Sequence, residues 1–495
     1  MVEESQVSGG RRAPGRRSHR SAARATGDRR PLVLKFGGTS VRDGARIAHV
    51  AGLVVARASL PRIVVVSALA GVTDQLLSLV ESARRDGRGD ELERAVAGFA
   101  ERHRVAARAA GIEGERLHPL DEAIEAARRS VARSLAGIAL LGETTARATD
   151  SILSSGELLA SRIVAAAIAA RGGDAEWIDP RDLIATDDGF GAARPDVEWI
   201  AAAVSRRALP ALAAGRIAVT GGFVGRAPDG ATTTLGRGGS DWSAALVGAA
   251  AGARAIEIWT DVDGVLTADP RLVPEARPLA TISFAEAAEL ARFGAKVLHP
   301  ATIGPAVERG IPVVVRNTFA PETAGTTILT DTAGAGVRAV SVRDGITALR
   351  VSNPRMLLAH GWAARVFAVF ERLRVEVDVI ATSEVSIATT VASTAPVEAL
   401  LRELAGIAEV EAERDLAVVC VVGPHLLGAP RLLAEVFAAL GDLPVRMVSH
   451  GASATNLTFV VAVADAAEAV RRVHARLLAT PADPHGTTKA LGSVA

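Results

Sequence analysis

Five short runs in the first two-thirds of the chain are apolar at almost every position. They are LVLKF at 32–36, RIVVVSA at 62–68, RIAVTGGFV at 216–224, AIEIWTDV at 255–262 and IPVVVRN at 311–317. A strand with one wet face alternates polar and apolar residues. A continuous apolar run has two dry faces, as in a mainly parallel sheet covered by helices on both sides. Ala-rich stretches of helical character separate the runs, and the Ala/Arg/Glu-rich region from Glu81 to Arg147 predicts several helices outside the sheet. The fold class expected for 31–330 is therefore α/β, three layers in αβα order. PETAGTTI ends this part, and the Gly-rich stretch Thr330 to Gly336 reads as a linker.

Beyond the linker the pattern repeats. MLLAHGWAARVFAVFERLRVEVDVI…SIATTV is echoed by AVVCVVGPHLLGAPRLLAEVFAALGDLPVRMV…NLTFVV, so that Val366-Phe367 recur as Val436-Phe437. A period of roughly seventy residues is too long for a solenoid and matches one small α+β unit. Two such units are expected at 338–411 and 412–480, followed by a flexible tail at 481–495. Each is small enough to need a partner surface, which predicts packing of one on the other and contacts between subunits, with strand exchange open.

Composition narrows the function classes. At 495 residues the chain exceeds one ordinary core. Charged residues are 22%, apolar residues 49% and the net charge is +1, so no global field favours nucleic acid or an anionic membrane. Cys420 is the single cysteine, which excludes internal disulfides and Cys-based zinc sites and suits a reducing cytoplasm. No apolar stretch approaches the ~20 residues of a membrane span. Residues 1–30 are Arg- and Ser-rich with almost nothing to bury and read as a disordered extension; Glu3, Glu4 and Asp28 argue against an organelle transit segment.

The candidate chemistry sits where the apolar runs end. Lys35 closes the first run and is followed by Phe36, Gly37, Gly38 and two hydroxyls, at the edge where open α/β sheets bind ligands. A lysine point charge beside glycine amides suits a phosphate, although a tight strand-to-helix turn also uses two glycines. The lysine precedes the glycines and neither GxxxxGK[ST] nor GxGxxG is matched, so this is no Walker A loop and no dinucleotide fingerprint. LSSGELLAS places Glu157 at a helix start, where Ser154 or Ser155 would serve as the cap. TTTLGRGGSDWSA carries Arg237, Gly238, Gly239, Ser240 and Asp241 ahead of an Ala-rich helix whose first amides form an anion site. EIWTDVDGVLTADPR adds Thr260, Asp261 and Arg271; Asp263 and Asp269 read as turn residues.

KFGGTSV, SSGE, TTTLGRGGSD, WTDVDGV…TADPR, FGAKVLHPATI and VRNTF, in that order, resemble the motif series of the aspartate kinases, and the two repeats resemble the paired ferredoxin-like ACT domains such enzymes carry. The resemblance runs from about Leu32 to Leu478. It implies transfer of the ATP γ-phosphoryl to the side-chain carboxylate of L-aspartate, the first step of lysine, threonine and methionine biosynthesis. By resemblance Lys35, Phe36, Gly37 and Gly38 would meet the transferring phosphate, with Asp241 holding Lys35. Ser67, Thr73, Glu157, Arg237, Gly238, Gly239 and Ser240 would form the aspartate pocket, Arg237 gripping the α-carboxylate and Glu157 the ammonium. Thr260, Asp261, Leu266, Arg271, Lys296 and Val297 would lie on the nucleotide side, with Mg2+ arriving on the ATP phosphates and no metal site of the protein's own. Met356, Trp362, Ala363, Val377, Asp378, Ser383 and Glu384 match an effector pocket of the lysine-responsive type. No nucleic-acid or membrane partner is implied, and a homodimer or tetramer through the ACT units is. With no second catalytic module after the repeats, a monofunctional enzyme is expected. Three positions depart from the family pattern: Leu266 replaces a tyrosine in a chain without any, Ala359 a serine, and Trp362 a phenylalanine. The rival readings are another amino-acid or acyl kinase on the same sheet, and an inactive amino-acid sensor using only the repeats. His299 is expected to be structural, and Trp177 and Trp199 packing anchors.

Overall fold

The computed structural model describes residues 29–86, 89–294, 300–353 and 360–478. Nearly all of the 1–30 extension and the whole 481–495 tail lie outside these residues, as do Lys296, Val297, His299, Met356 and Ala359.

The apolar runs form the heart of an eight-stranded sheet. Its strands are β1 (Leu32–Phe36), β2 (Arg62–Val66), β3 (Ala175–Trp177), β4 (Ile217–Gly221), β7 (Ala255–Thr260), β8 (Thr281–Ser283), β9 (Val313–Asn317) and β10 (Thr326–Leu329), while β5 (Val224–Arg226) and β6 (Thr232–Thr234) form a separate hairpin. The order is β3-β4-β2-β1-β7-β9-β10-β8, parallel except where β10 runs against β9. Period-2 geometry divides each strand between two cores: Leu34, Phe36, Val64 and Val66 pack on one side, Val33, Ile63 and Val65 on the other. The expected external helices are Val72–Asp86, Gly89–Ala109 and Leu117–Leu141, which bury Val96, Phe99, Ile124 and Leu135 in the first core.

One correction concerns the bilayer argument. The helical run Ala146–Ala170 is long and apolar enough to span a membrane, contrary to the expectation of no such stretch. Its apolar window is 78% buried inside the protein, because all faces of a helix wedged between sheet and outer helices need apolar residues.

The repeats make one six-stranded antiparallel sheet of β11 (Ala339–Ser352), β12 (Ile380–Thr382), β13 (Ser386–Ala392), β14 (Glu409–Val422), β15 (Met447–His450) and β16 (Asn456–Ala462), in the order β12-β13-β11-β14-β16-β15. The division expected at 411/412 falls inside β14. Both long central strands serve both units: Val340 packs with Val419, Val421 and Phe459, whereas Leu349 and Val351 pack with Trp362 and Phe370. The first unit is thus inserted into the second, whose opening strand is the start of β11. One face of this sheet, including Val418, Cys420 and Val460, joins Phe284, Leu290 and Phe293 of the αβα part in a common core. The expected linker is partly tied down, since buried Thr332 donates its hydroxyl to Glu286.

Candidate active site

Period-2 alternation sends Lys35 to the same side of β1 as Val33, the side covered by the helix Gly239–Ala250. Asp241, in the first turn of that helix, meets it: Lys35 Nζ stands 2.6 Å from Asp241 Oδ1, and Lys35 is only 8% exposed. Gly238, with φ of +71°, is the turn residue that starts the helix there, and the dipole end at Gly239 and Ser240 faces the same space.

That space is a cavity of about 310 Å³ at the carboxyl ends of β1, β2 and β4. The chain leaves β1 toward β2 on one side while β7 lies on the other, so the cavity occupies a topological switch point. Lys35, Gly38, Ser67, Thr73, Glu157, Gly238, Gly239, Ser240 and Asp241 all line it. Glu157 begins the helix Ser155–Ala170 and is 4% exposed. Burial raises its pKa from 4.5 to about 8, against partial relief from the N–H groups of Ala68 and of Glu157 itself. Oε2 has no hydrogen-bond partner among the described residues. The close approach that buries it needs Gly156, where a Cβ would stand 2.9 Å from the Ala68 methyl.

Other expected residues lie differently. The Gly37 N–H donates to Trp259 O at 3.1 Å, closing the strand end rather than facing the cavity. Phe36 is core and stacks on Trp259. Arg237 is exposed on the rim between the lining residues Gly236 and Gly238. Thr260 and Asp261 end β7, parallel to β1, and so reach the same edge as Lys35. Ser154 makes no capping bond; its hydroxyl donates to Ser151 O.

Arg271 departs further. It is paired with Asp269, Nε to Oδ1 at 3.0 Å, and is exposed. Its hairpin packs on the second C-terminal unit through Ala268 and Val273, and Thr267 Oγ1 lies 3.0 Å from His474 Nε2. Leu266 sits half-buried in the same hairpin, bridged to Pro278. The cavity wall also holds Phe223 and Asp74, which no motif in the sequence marked. Phe223 holds a left-handed φ of +64°, and its N–H donates to the Ser243 hydroxyl at 3.0 Å. Backbone strain of this kind has no signature in residue type.

Among the described residues, the expected effector residues do not form one open pocket. Trp362 is 2% exposed in the first unit's core with Leu349, Val351 and Phe370, because Gly361 turns the helix Trp362–Arg372 so that its first residue points inward. Ala363 faces solvent, Val377 packs at the core margin, and Ser383 and Glu384 lie exposed in the β12–β13 turn. Asp378 is not free, for Arg343 bonds it closely and Arg292 of the αβα part stands 3.9 Å away.

Comparison with known proteins places this geometry. The amino acid kinase family model matches residues 30–317, and an ACT domain model matches residues 419–477. The lysine-sensitive aspartokinase 3 of Escherichia coli is 38% identical over 462 residues, covering 90% of this chain and 99% of that protein. The chain belongs to the aspartokinase family. Chloroplastic aspartokinase 3 of Arabidopsis thaliana is 35% identical, over 90% of this chain and 82% of its own length. Among solved structures, E. coli aspartokinase III with aspartate and ADP matches with a TM-score of 0.77 and 37% identity, over 90% of this chain and 99% of that one. The expected α/β sheet and the two ACT units are the fold of that aspartokinase.

Proposed function

We infer that this aspartokinase transfers the γ-phosphoryl group of ATP to the β-carboxylate of L-aspartate, giving 4-phospho-L-aspartate. The observation that carries the reading is one cavity in which a buried lysine, held by Asp241, lies with a buried carboxyl group at a helix N-terminus. The acceptor carboxylate is ionised at neutral pH, so no general base is required. What must be overcome is repulsion between two anions. Lys35 and the dipole end at Gly239–Ser240 offset it, while Asp241 keeps the ammonium group of Lys35 in place. Arg237 on the rim reads the α-carboxylate as a fork, and Glu157 pairs with the amino group. Ser67 and Thr73 complete the wall. Thr260 and Asp261 take the nucleotide side; Arg271 joins them only by leaving Asp269.

Mg2+ is assigned to the nucleotide's phosphates. Of the cavity carboxyls, Asp241 is committed to Lys35 and Glu157 is held protonated, which leaves Asp74, and one carboxylate does not make a protein-held magnesium cage. The decisive assay is hydroxamate trapping of the acyl phosphate with ATP and Mg2+, offering aspartate, glutamate and N-acetylglutamate. Preference for either rival acceptor would overturn the substrate assignment. Arg237→Ala is expected to raise KM for aspartate with little change in KM for ATP. A rise for ATP alone would put Arg237 on the other substrate.

Lysine is the proposed feedback effector, in keeping with the E. coli relative, whose crystal structure holds lysine and aspartate. Because Asp378 already holds Arg343, an incoming ammonium group has to displace a guanidinium. Lysine is expected to inhibit the kinase and Asp378→Ala to relieve the inhibition without loss of the uninhibited rate; inhibition by threonine instead would reject the effector. Self-association is assigned to the ACT sheet, where edge strand β12 and its turn leave Ile380 44% and Val385 40% exposed.

A further inference from the structure

A second buried carboxylate lies outside every role given above. Asp150, in the helix Ala146–Leu153, is 1% exposed and makes no ion pair among the described residues. Three neutral donors satisfy it. Its Oδ2 accepts the N–H of Thr234 at 2.8 Å and of Gly191 at 2.9 Å, and its Oδ1 accepts the Thr234 hydroxyl at 2.7 Å. Burying a carboxylate is costly, so its partners are held firmly.

Those partners belong to two other segments. Thr234 ends β6, three residues before Arg237, and its carbonyl accepts the Ala193 N–H at 2.9 Å. Gly191 lies so close to the next turn that a Cβ on Gly236 would stand 3.1 Å from its carbonyl oxygen. One side chain therefore joins the helix leading to Glu157, the Gly191 loop, and the strand leading into Gly236–Arg237. Arg237 is exposed and has no carboxylate partner among the described residues, so its backbone sets its place.

We propose that Asp150 is a positioning residue for amino-acid recognition: by clamping Thr234 and Gly191 it sets the separation between Arg237 and Glu157. The inference rests on the assignment of those two groups to the substrate's carboxylate and ammonium. Asp150 does not line the cavity and acts only through the loop it holds.

Steady-state kinetics of Asp150→Ala, Asp150→Asn and Arg237→Ala, singly and with the two alanine changes combined, test it. Asparagine keeps an oxygen for the two N–H donors, and its amide can donate to the Thr234 hydroxyl, which rotates to accept. Alanine leaves all three donors unmet. Asp150→Ala is expected to raise KM for aspartate at least ~10-fold, with kcat within ~3-fold and KM for ATP unchanged. Asp150→Asn should restore KM to within ~3-fold, and the double alanine variant should be no worse than Arg237→Ala. A purely structural role would lower Tm without this split between substrates. An unchanged aspartate KM, equal rises for both substrates, failure of asparagine to rescue, or additive effects would each overturn the proposal. If Asp150→Ala does not fold, Thr234→Val decides: it removes one bond and should raise aspartate KM ~3-fold, and no change sinks the idea. A normal Arg237→Ala refutes the substrate assignment instead, whereas a defective Arg237→Ala beside a normal Asp150→Ala refutes only the clamp.

Discussion

Lys35→Ala is expected to cut kcat for aspartyl phosphate formation by at least ~10²-fold, with a much smaller change in either KM. The ammonium group lies at the end of a strand whose neighbours, Leu34 and Phe36, are locked in a core, so it is held without help from the substrate. A preorganised charge costs nothing to orient when negative charge builds between acceptor and leaving group, and the burial of Lys35 strengthens it. Removing it also leaves the Asp241 carboxylate facing the incoming phosphate, so attraction becomes repulsion. Asp241→Asn in the Lys35→Ala background is expected to recover part of the rate by removing that repulsion. The hydroxamate assay at saturating substrates measures both. Turnover of Lys35→Ala equal to that of the unaltered enzyme would take this residue out of the mechanism.

Between about pH 6 and pH 8, KM for aspartate should fall as pH rises, and the ligand-free protein should lose stability over the same range. Both follow from Glu157. Its carboxyl group, raised from 4.5 to about 8 by burial, binds a proton more tightly folded than unfolded. Its stabilising protonation is fully present below about pH 4.5 and is lost as pH rises through about 8. The size is on the order of a few kcal/mol, from the free energy of one pKa unit. A substrate ammonium group wants the carboxylate, so aspartate binding must expel this proton, which is harder at low pH. Glu157→Gln is expected to flatten the fall of Tm with pH and to raise aspartate KM by ~10²-fold, since a neutral amide cannot offset the ammonium charge. Melting curves at half-unit pH steps, with KM measured alongside, check both. A Tm profile identical in Glu157→Gln would mean that Glu157 is not the group titrating.

The two substitutions differ in how far sequence could foresee them. Lys35 and Asp241 are 206 positions apart (241 − 35), yet each stands at an element end recognisable from residue type: a lysine closing an apolar run, an acid in the first turn after a glycine. The role proposed for Glu157 comes from the resemblance alone, and its protonation was not legible at all. That depends on Ala68 and Val72 closing over Gly156, a contact between segments far apart in the chain. Asp150 was passed over for a similar reason. Its neighbours in sequence give no hint of Thr234 or Gly191, which only the fold brings to it.

The regulatory part shows the same limit. The repeat of Val366-Phe367 at Val436-Phe437 correctly announced two similar units, because each needs its own apolar helix face. It misled over where one unit stops. A 14-residue strand can serve two cores in succession, and the pattern of a strand does not record which helices lie above it. Trp362 and Asp378 were read as effector contacts, yet the ring fills a core and the acid holds Arg343.

By itself the sequence determined the parallel sheet, the doubled C-terminal unit and the placing of Lys35 and Asp241 at element ends, since these depend on periodicity and local residue type. Tertiary structure alone decided which charges are paired, which carboxyl keeps its proton and which loop is clamped. Those properties arise from desolvation and hydrogen bonding between distant segments, and neither exists until the chain has closed around them.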